Sequence, residues 1–191
     1  MGIIVTIGDS RHLVDVGFGA GAAFQPMLMT ADMPAPDFPV MGTRRGRLEL
    51  RSADFHTQTA QQAWVFSTRE DDAEATEWVE QNAMDEAEMG QLDYEVMSHF
   101  ASTHPKSFFV QNMVAMHIVC GPAEEDYAPT AVVALFRDRV RRFTPGGQDE
   151  STTLLSEEER VKVLAEEFGI HLTEEERKAI EGTANAIVLA N

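Results

Sequence analysis

Two β-rich runs, residues 2–7 and 11–16, are separated only by Gly8-Asp9-Ser10. So short a gap leaves no room for a crossover, and the two runs can pair only as an antiparallel hairpin, with Gly and Asp where positive φ is needed. The chain is thus committed to antiparallel sheet within its first sixteen residues. Asp15 stands at the end of the second run, and Gly17, Gly19 and Gly21 follow it before Phe24 and Pro26. That segment leaves three readings open: a phosphate-cradling loop, a tight turn, or a loop carrying a catalytic carboxylate.

More sheet is expected downstream. Pro34, Pro36 and Pro39 break any ladder across residues 27–41, which read as a surface connection. Residues 47–51 and 62–67 are short strand candidates, the latter carrying Trp64 and Phe66. Residues 70–88 hold nine acidic side chains and no basic one, and read as a solvated loop or helix face without a functional role. Apolar residues at 92, 96, 97 and 100 have helical spacing, and the helix ends at the turn Ser102-Thr103-His104-Pro105.

Residues 108–119 and 130–136 are β-branched apolar runs joined through Gly121-Pro122 and an acidic loop. They are expected to pair, with 137–143 as a third strand. Ser156-x-x-Glu159 and Thr173-x-x-Glu176 are capping-box starts, and the first of these helices should bury Val161, Leu164 and Phe168 and stop at Gly169. This order of elements implies an antiparallel β domain and then a smaller α/β domain, divided near residues 92–105.

Composition narrows the function. In 191 residues, 15 Lys and Arg stand against 32 Asp and Glu, a net charge of -17 that disfavours nucleic acid and anionic membranes as partners. The single Cys120 forms no internal disulfide, and no apolar run reaches membrane-spanning length, so a cytoplasmic setting is expected. Met1-Gly2-Ile3-Ile4-Val5-Thr6 matches an N-myristoylation pattern, but residues 3–7 read as a strand, which is no free acceptor tail. His12, His56, His99, His104, His117 and His171 lack ligand spacing, so no metal is expected.

The glycine segment does not fit a dinucleotide loop. Ala22 stands where the third glycine belongs, Pro26 cuts short any following helix, and the phosphate-loop Lys is absent. A β-turn in which Asp15 bonds neighbouring amides remains open beside the catalytic reading.

Val14-Asp15-Val16-Gly17-Phe18-Gly19, preceded by a Val-Thr-Ile strand and followed by Gln25-Pro26-Met27-Leu28, resembles the corresponding block of the arylamine N-acetyltransferases. The run from Phe100 through Ser102-Thr103-His104-Pro105-Lys106-Ser107 to Phe109 is similar to that family's helix-to-strand segment. Leu155-Ser156-Glu157-Glu158-Glu159-Arg160-Val161 is similar to the acidic start of its late helix.

The resemblance implies an α+β fold, with a mainly antiparallel β-barrel-like domain over 1–91 (its acidic loop at about 70–90), an interdomain helix and turn over 92–105, and a smaller α/β lid domain with C-terminal helices over 106–191. It implies acetyl transfer from acetyl-CoA, as co-substrate, to an arylamine or related small-molecule acceptor through a Cys-His-Asp triad. Asp15 takes the place of the acid, which fixes the His tautomer and stabilises imidazolium, lowering the thiol pKa. Phe18, Gly17 and Gly19 fall in the acceptor site, and Thr103 and Ser107 where the cofactor passes.

The family's Cys lies in an N-terminal helical domain, and its His would stand directly before Met1. The chain therefore reads as the second and third domains, a fragment inactive by itself; the alternative is a non-catalytic cofactor-binding or regulatory module of the same fold. Cys120, at a strand end before Gly-Pro, reads as packing and not as the nucleophile, and His12, three residues from Asp15, faces the opposite side of its strand. Arg137, Arg139, Arg141 and Arg142 read as the solvent face of an edge strand. Apolar surface around Ile3, Ile4, Phe18 and Phe24 would be left open to self-association.

Overall fold

The structure, a computed structural model, describes residues 2–19, 21–40, 44–53, 61–70, 77–122, 129–144 and 149–187. The chain divides into two compact units, Met1–Glu88 and Met89–Asn191. The second includes residues 92–105, which the sequence reading set apart as an interdomain helix and turn. Both are built on antiparallel sheet with few helices, an α+β fold.

In the first unit, β1 (Ile3–Ile7) and β2 (Ser10–Val14) form the expected hairpin, with Ile7 opposite Ser10. Gly8 takes the positive φ of 60° and Asp9 does not, the pattern of a II′ turn. β2 then pairs with β3 (Met27–Leu28) through Leu13 opposite Met27, so the whole glycine segment is the loop of a second antiparallel connection.

A second sheet runs in the order β4-β5-β6-β7, from β4 (Phe38–Pro39) and β5 (Arg44–Ala53) to β6 (Gln61–Glu70) and β7 (Val79–Met84). Leu13 and Met27 of the first sheet share one core with Val40, Leu48, Trp64 and Phe66 of the second. Gly46 is required there, because a Cβ would sit 2.7 Å from the Phe38 ring and 2.9 Å from Val40. Among the described residues these are two open sheets, not a closed barrel.

The acidic tract is the main correction in this unit. Its residues 79–84 are β7, paired along β6, and Glu80 forms an ion pair with Arg51. The guanidinium groups of Arg47 and Arg69 both lie over the Trp78 ring, 4.2 and 4.6 Å from its centroid. Basic side chains on the neighbouring strands thus supply the opposite charge that the tract itself lacks. Residues 71–76 of the tract, the 123–128 part of the acidic loop, Met1 and His56 lie outside the described residues.

The second unit opens with α1 (Gln91–Thr103), in which Asp93 accepts a hydrogen bond from Gly90 N at 2.8 Å and no residue is buried. Residues 108–111, expected as strand, form a helical turn, α2 (Phe108–Gln111), directly after Ser107. The sheet runs β11-β10-β9-β8 and comprises β8 (Val114–Cys120), β9 (Pro129–Phe136), β10 (Arg139–Phe143) and β11 (Glu150–Thr153). β10 is therefore an inner strand, not the expected edge. Its outer neighbour β11, Glu-Ser-Thr-Thr, carries no apolar signal by which it could have been found.

α3 (Glu157–Phe168) is capped as expected by Ser156, which accepts from Glu159 N, and it ends at Gly169 with φ 67°. Leu164 packs with Leu135 and Leu154 in the core of this unit, while Val163 and Phe168 lie against it partly buried. The other buried residue of the helix is Arg160, which the apolar pattern passed over. α4 (Glu174–Lys178) carries the full capping box between Thr173 and Glu176.

Candidate functional site

β2 ends at Val14, and the chain leaves the sheet at Asp15, which is only 8% exposed. A buried carboxylate needs donors. Its Oδ1 accepts from Gly17 N at 2.9 Å, the Asx-type turn that the spacing allowed, and its Oδ2 lies 3.5 Å from Nδ2 of Asn82 on β7. Two oxygens offer about four acceptor positions. Two of them are engaged among the described residues, so this carboxylate retains capacity for a further donor.

Glycines shape the loop beyond it. Gly19 holds φ 92°, a conformation closed to most side chains, and its carbonyl accepts from Ala22 N at 2.9 Å. At Gly21 a Cβ would meet Gln81 Oε1 at 3.1 Å and the Phe18 ring at 3.2 Å, so the bare backbone lets both lie close to it. Phe18 itself is 40% exposed, an aromatic face in the same loop as the buried acid. The fold thus gathers Asp15, Gly17, Phe18 and Gly19 into one loop and adds Gln81 and Asn82 from β7. Sequence reasoning missed those two amides because they lie in the tract read as solvated.

The remaining candidates belong to other elements. His12 is half-buried on β2, opposite Val5 and Leu28, a packing position. Cys120 is exposed at the end of β8, and Thr103 and Ser107 also belong to the second unit. Thr103 Oγ1 donates to His99 O, and the buried Ser107 Oγ donates to Ala101 O, both at 2.6 Å, so each hydroxyl uses its proton on a helix carbonyl. Arg142 pairs with Glu167 at 2.7 Å. Among the described residues no cluster of His, Cys, Asp or Glu could hold a metal ion, and no helix is long and apolar enough to cross a membrane.

Solved structures share this arrangement of antiparallel sheets and short helices. The arylamine N-acetyltransferase from Mycobacterium abscessus superimposes with a TM-score of 0.71 at 20% identity, over 93% of this chain and 56% of that one. The arylamine N-acetyltransferase of Nocardia farcinica gives 0.69 at 25% identity, over 95% and 57%. The fold is therefore that of the arylamine N-acetyltransferases.

The N-acetyltransferase family model matches residues 1–177, and the chain belongs to that family. Among curated proteins it is 30% identical over 188 residues to N-malonyltransferase FDB2 of Gibberella moniliformis, covering 93% of this chain and 52% of that protein. The chain spans about half the length of the curated relatives it matches.

Proposed function

We propose that this chain contributes the acid and the acceptor-side loop of a cysteine-dependent acyltransferase that moves an acyl group from acyl-CoA to an arylamine. The reading rests on Asp15, a buried carboxylate in the loop that carries the exposed Phe18, with one firm donor, one long contact and room for another. In such a site a thiolate attacks the thioester carbonyl and CoA leaves as the thiol with a proton from imidazolium; the amine then attacks the acyl-cysteine, the cysteine leaves as thiolate and the imidazole takes up the amine's proton. The carboxylate orients the imidazole and stabilises its protonated form in both halves. Gly17 and Gly19 keep the backbone slim beside the reacting carbonyl, Phe18 offers a face to an aromatic amine, and Thr103 and Ser107 would approach the acyl donor.

In this reading the Cys of the triad comes from an N-terminal helical domain and the His from the strand that leads into the β1–β2 hairpin. Among the described residues Asp15 bonds only a backbone amide and an asparagine, so the 191-residue polypeptide alone should not acetylate an arylamine. Joining it to the N-terminal half of N-malonyltransferase FDB2 should restore transfer. Turnover by the chain alone that disappears in Cys120→Ser would overturn this assignment in favour of a stand-alone enzyme. CoA binding without any transfer in the joined protein would favour the non-catalytic module.

A malonyl donor is the second reading, favoured by the curated relatives, which are N-malonyltransferases. Rates with acetyl-CoA and malonyl-CoA in the joined protein separate the two. Self-association also follows from the surface: Ile3, Ile4, Val5 and Ile7 of the edge strand β1 are all exposed, from 37% to 59%. Light scattering of the chain alone should give a mass above the monomer's, and a monodisperse monomer would overturn that expectation.

A further inference from the structure

We propose that Asn82 is a positioning residue for the acid of the triad; this rests on the acyltransferase reading above. The observation begins with the pairing of β6 and β7. Phe66 lies opposite Asn82 but Ser67 lies opposite Glu80, so Gln81 is an extra residue and the ladder is bulged. A regular strand would send Gln81 and Asn82 to opposite faces. Bulges re-aim side chains, and here both reach the glycine loop: Gln81 Oε1 against Gly21, and Asn82 Nδ2 at 3.5 Å from Asp15 Oδ2.

The amide orientation follows from chemistry. A carboxylate only accepts, so the nitrogen of Asn82 faces it. The other end of the amide is then stranded, because Asn82 Oδ1 is buried and has no partner among the described residues. Leaving an acceptor buried and unpaired costs stability, which a leucine of nearly the same shape would not incur. Asparagine here is thus a poor choice for packing and a good one for holding a carboxylate. With Gly17 N on Oδ1 at 2.9 Å and Asn82 Nδ2 3.5 Å from Oδ2, each oxygen of the Asp15 carboxylate faces a donor, one firmly and one at long range. That arrangement favours one orientation of the carboxylate and leaves its remaining lone pairs for an imidazole N–H.

The test compares Asn82→Leu, Asn82→Gln and Asp15→Asn in the chain joined to the N-terminal half of N-malonyltransferase FDB2. Asn82→Leu removes the stranded acceptor and the long contact to Asp15 together, two opposing effects, so its urea midpoint should lie near the parent's, yet its kcat should fall roughly 10- to 100-fold with KM for acyl-CoA unchanged. Asn82→Gln, which keeps the donor, should recover part of that loss. Parental kcat in Asn82→Leu beside an inactive Asp15→Asn overturns the positioning role and leaves the acyltransferase reading standing; a fully active Asp15→Asn overturns that reading itself. In the 191-residue chain alone, the Asn82 side-chain amide should exchange its hydrogens slowly by NMR and lose that protection in Asp15→Ala. An amide that exchanges at the free rate in both would also overturn the proposal.

Discussion

Asp15 and Arg160 are both buried charges, one in each unit, and they are treated in opposite ways. Arg160 is 1% exposed, and its guanidinium donates to both carboxylate oxygens of Glu157 and to the carbonyls of Arg137 and Asn185. Glu157 Oε1 in turn accepts from Ile187 N at 2.7 Å. That node ties the first turn of α3 to the β9–β10 hairpin and to the C-terminal segment. Asp15 has one firm donor, one long contact and unused lone pairs. A fully satisfied buried charge fixes a structure, whereas one left short retains the capacity to bind something else.

The sharpest way to break this comparison is Asp15→Asn in the joined protein. Activity should fall on the order of 10,000-fold, the scale for neutralising a triad acid. Urea unfolding should meanwhile shift by less than about 1 kcal/mol, since asparagine still accepts from Gly17 N. A large loss of stability would make Asp15 a structural residue like Arg160.

The converse holds for Arg160→Met. It strands Glu157 and two carbonyls, and should destabilise the second unit by about 3–5 kcal/mol, read from its urea transition. A change below 1 kcal/mol would mean that the node does not hold the unit together.

A smaller effect separates two glycines of the Asp15 loop. Gly19→Ala forces an alanine to φ 92° and should cost about 1–2 kcal/mol. At Gly17 an added Cβ meets only Asp15 Oδ1, at 3.8 Å, so Gly17→Ala should be nearly neutral. Equal thermal shifts in the two variants would contradict the loop geometry.

The smallest effect concerns an exposed charge. Hydrogen bonds from Arg11 and Trp64 hold the Glu86 carboxyl below its usual 4.5. The folded value is the lower one, so this contribution is complete above pH 4.5 and is lost as pH falls through the depressed value. Glu86→Gln should flatten the pH dependence of stability in that window alone. Both partners of the ion pair are 44% exposed, so solvent screening keeps the change small.

Much of this was legible in the chain. The β1–β2 hairpin, the caps at Ser156 and Thr173 and the stop at Gly169 depend on neighbours a few residues apart, and local chemistry determines them. The turn at Asp15 was readable as one of the alternatives, since an Asp before a glycine-rich segment can accept from the amide two residues on, as it does from Gly17. What the sequence could not decide was every feature whose partner lies far along the chain. β7 is a strand because β6 offers it a ladder and Arg47, Arg51 and Arg69 neutralise and stack on its neighbourhood. Arg160 is buried because a carboxylate and two distant carbonyls converge on it, against every expectation for an arginine taken alone. Asn82 meets Asp15 across 67 residues through one bulged position, a juxtaposition that periodicity and composition do not encode and that only the assembled sheets bring about.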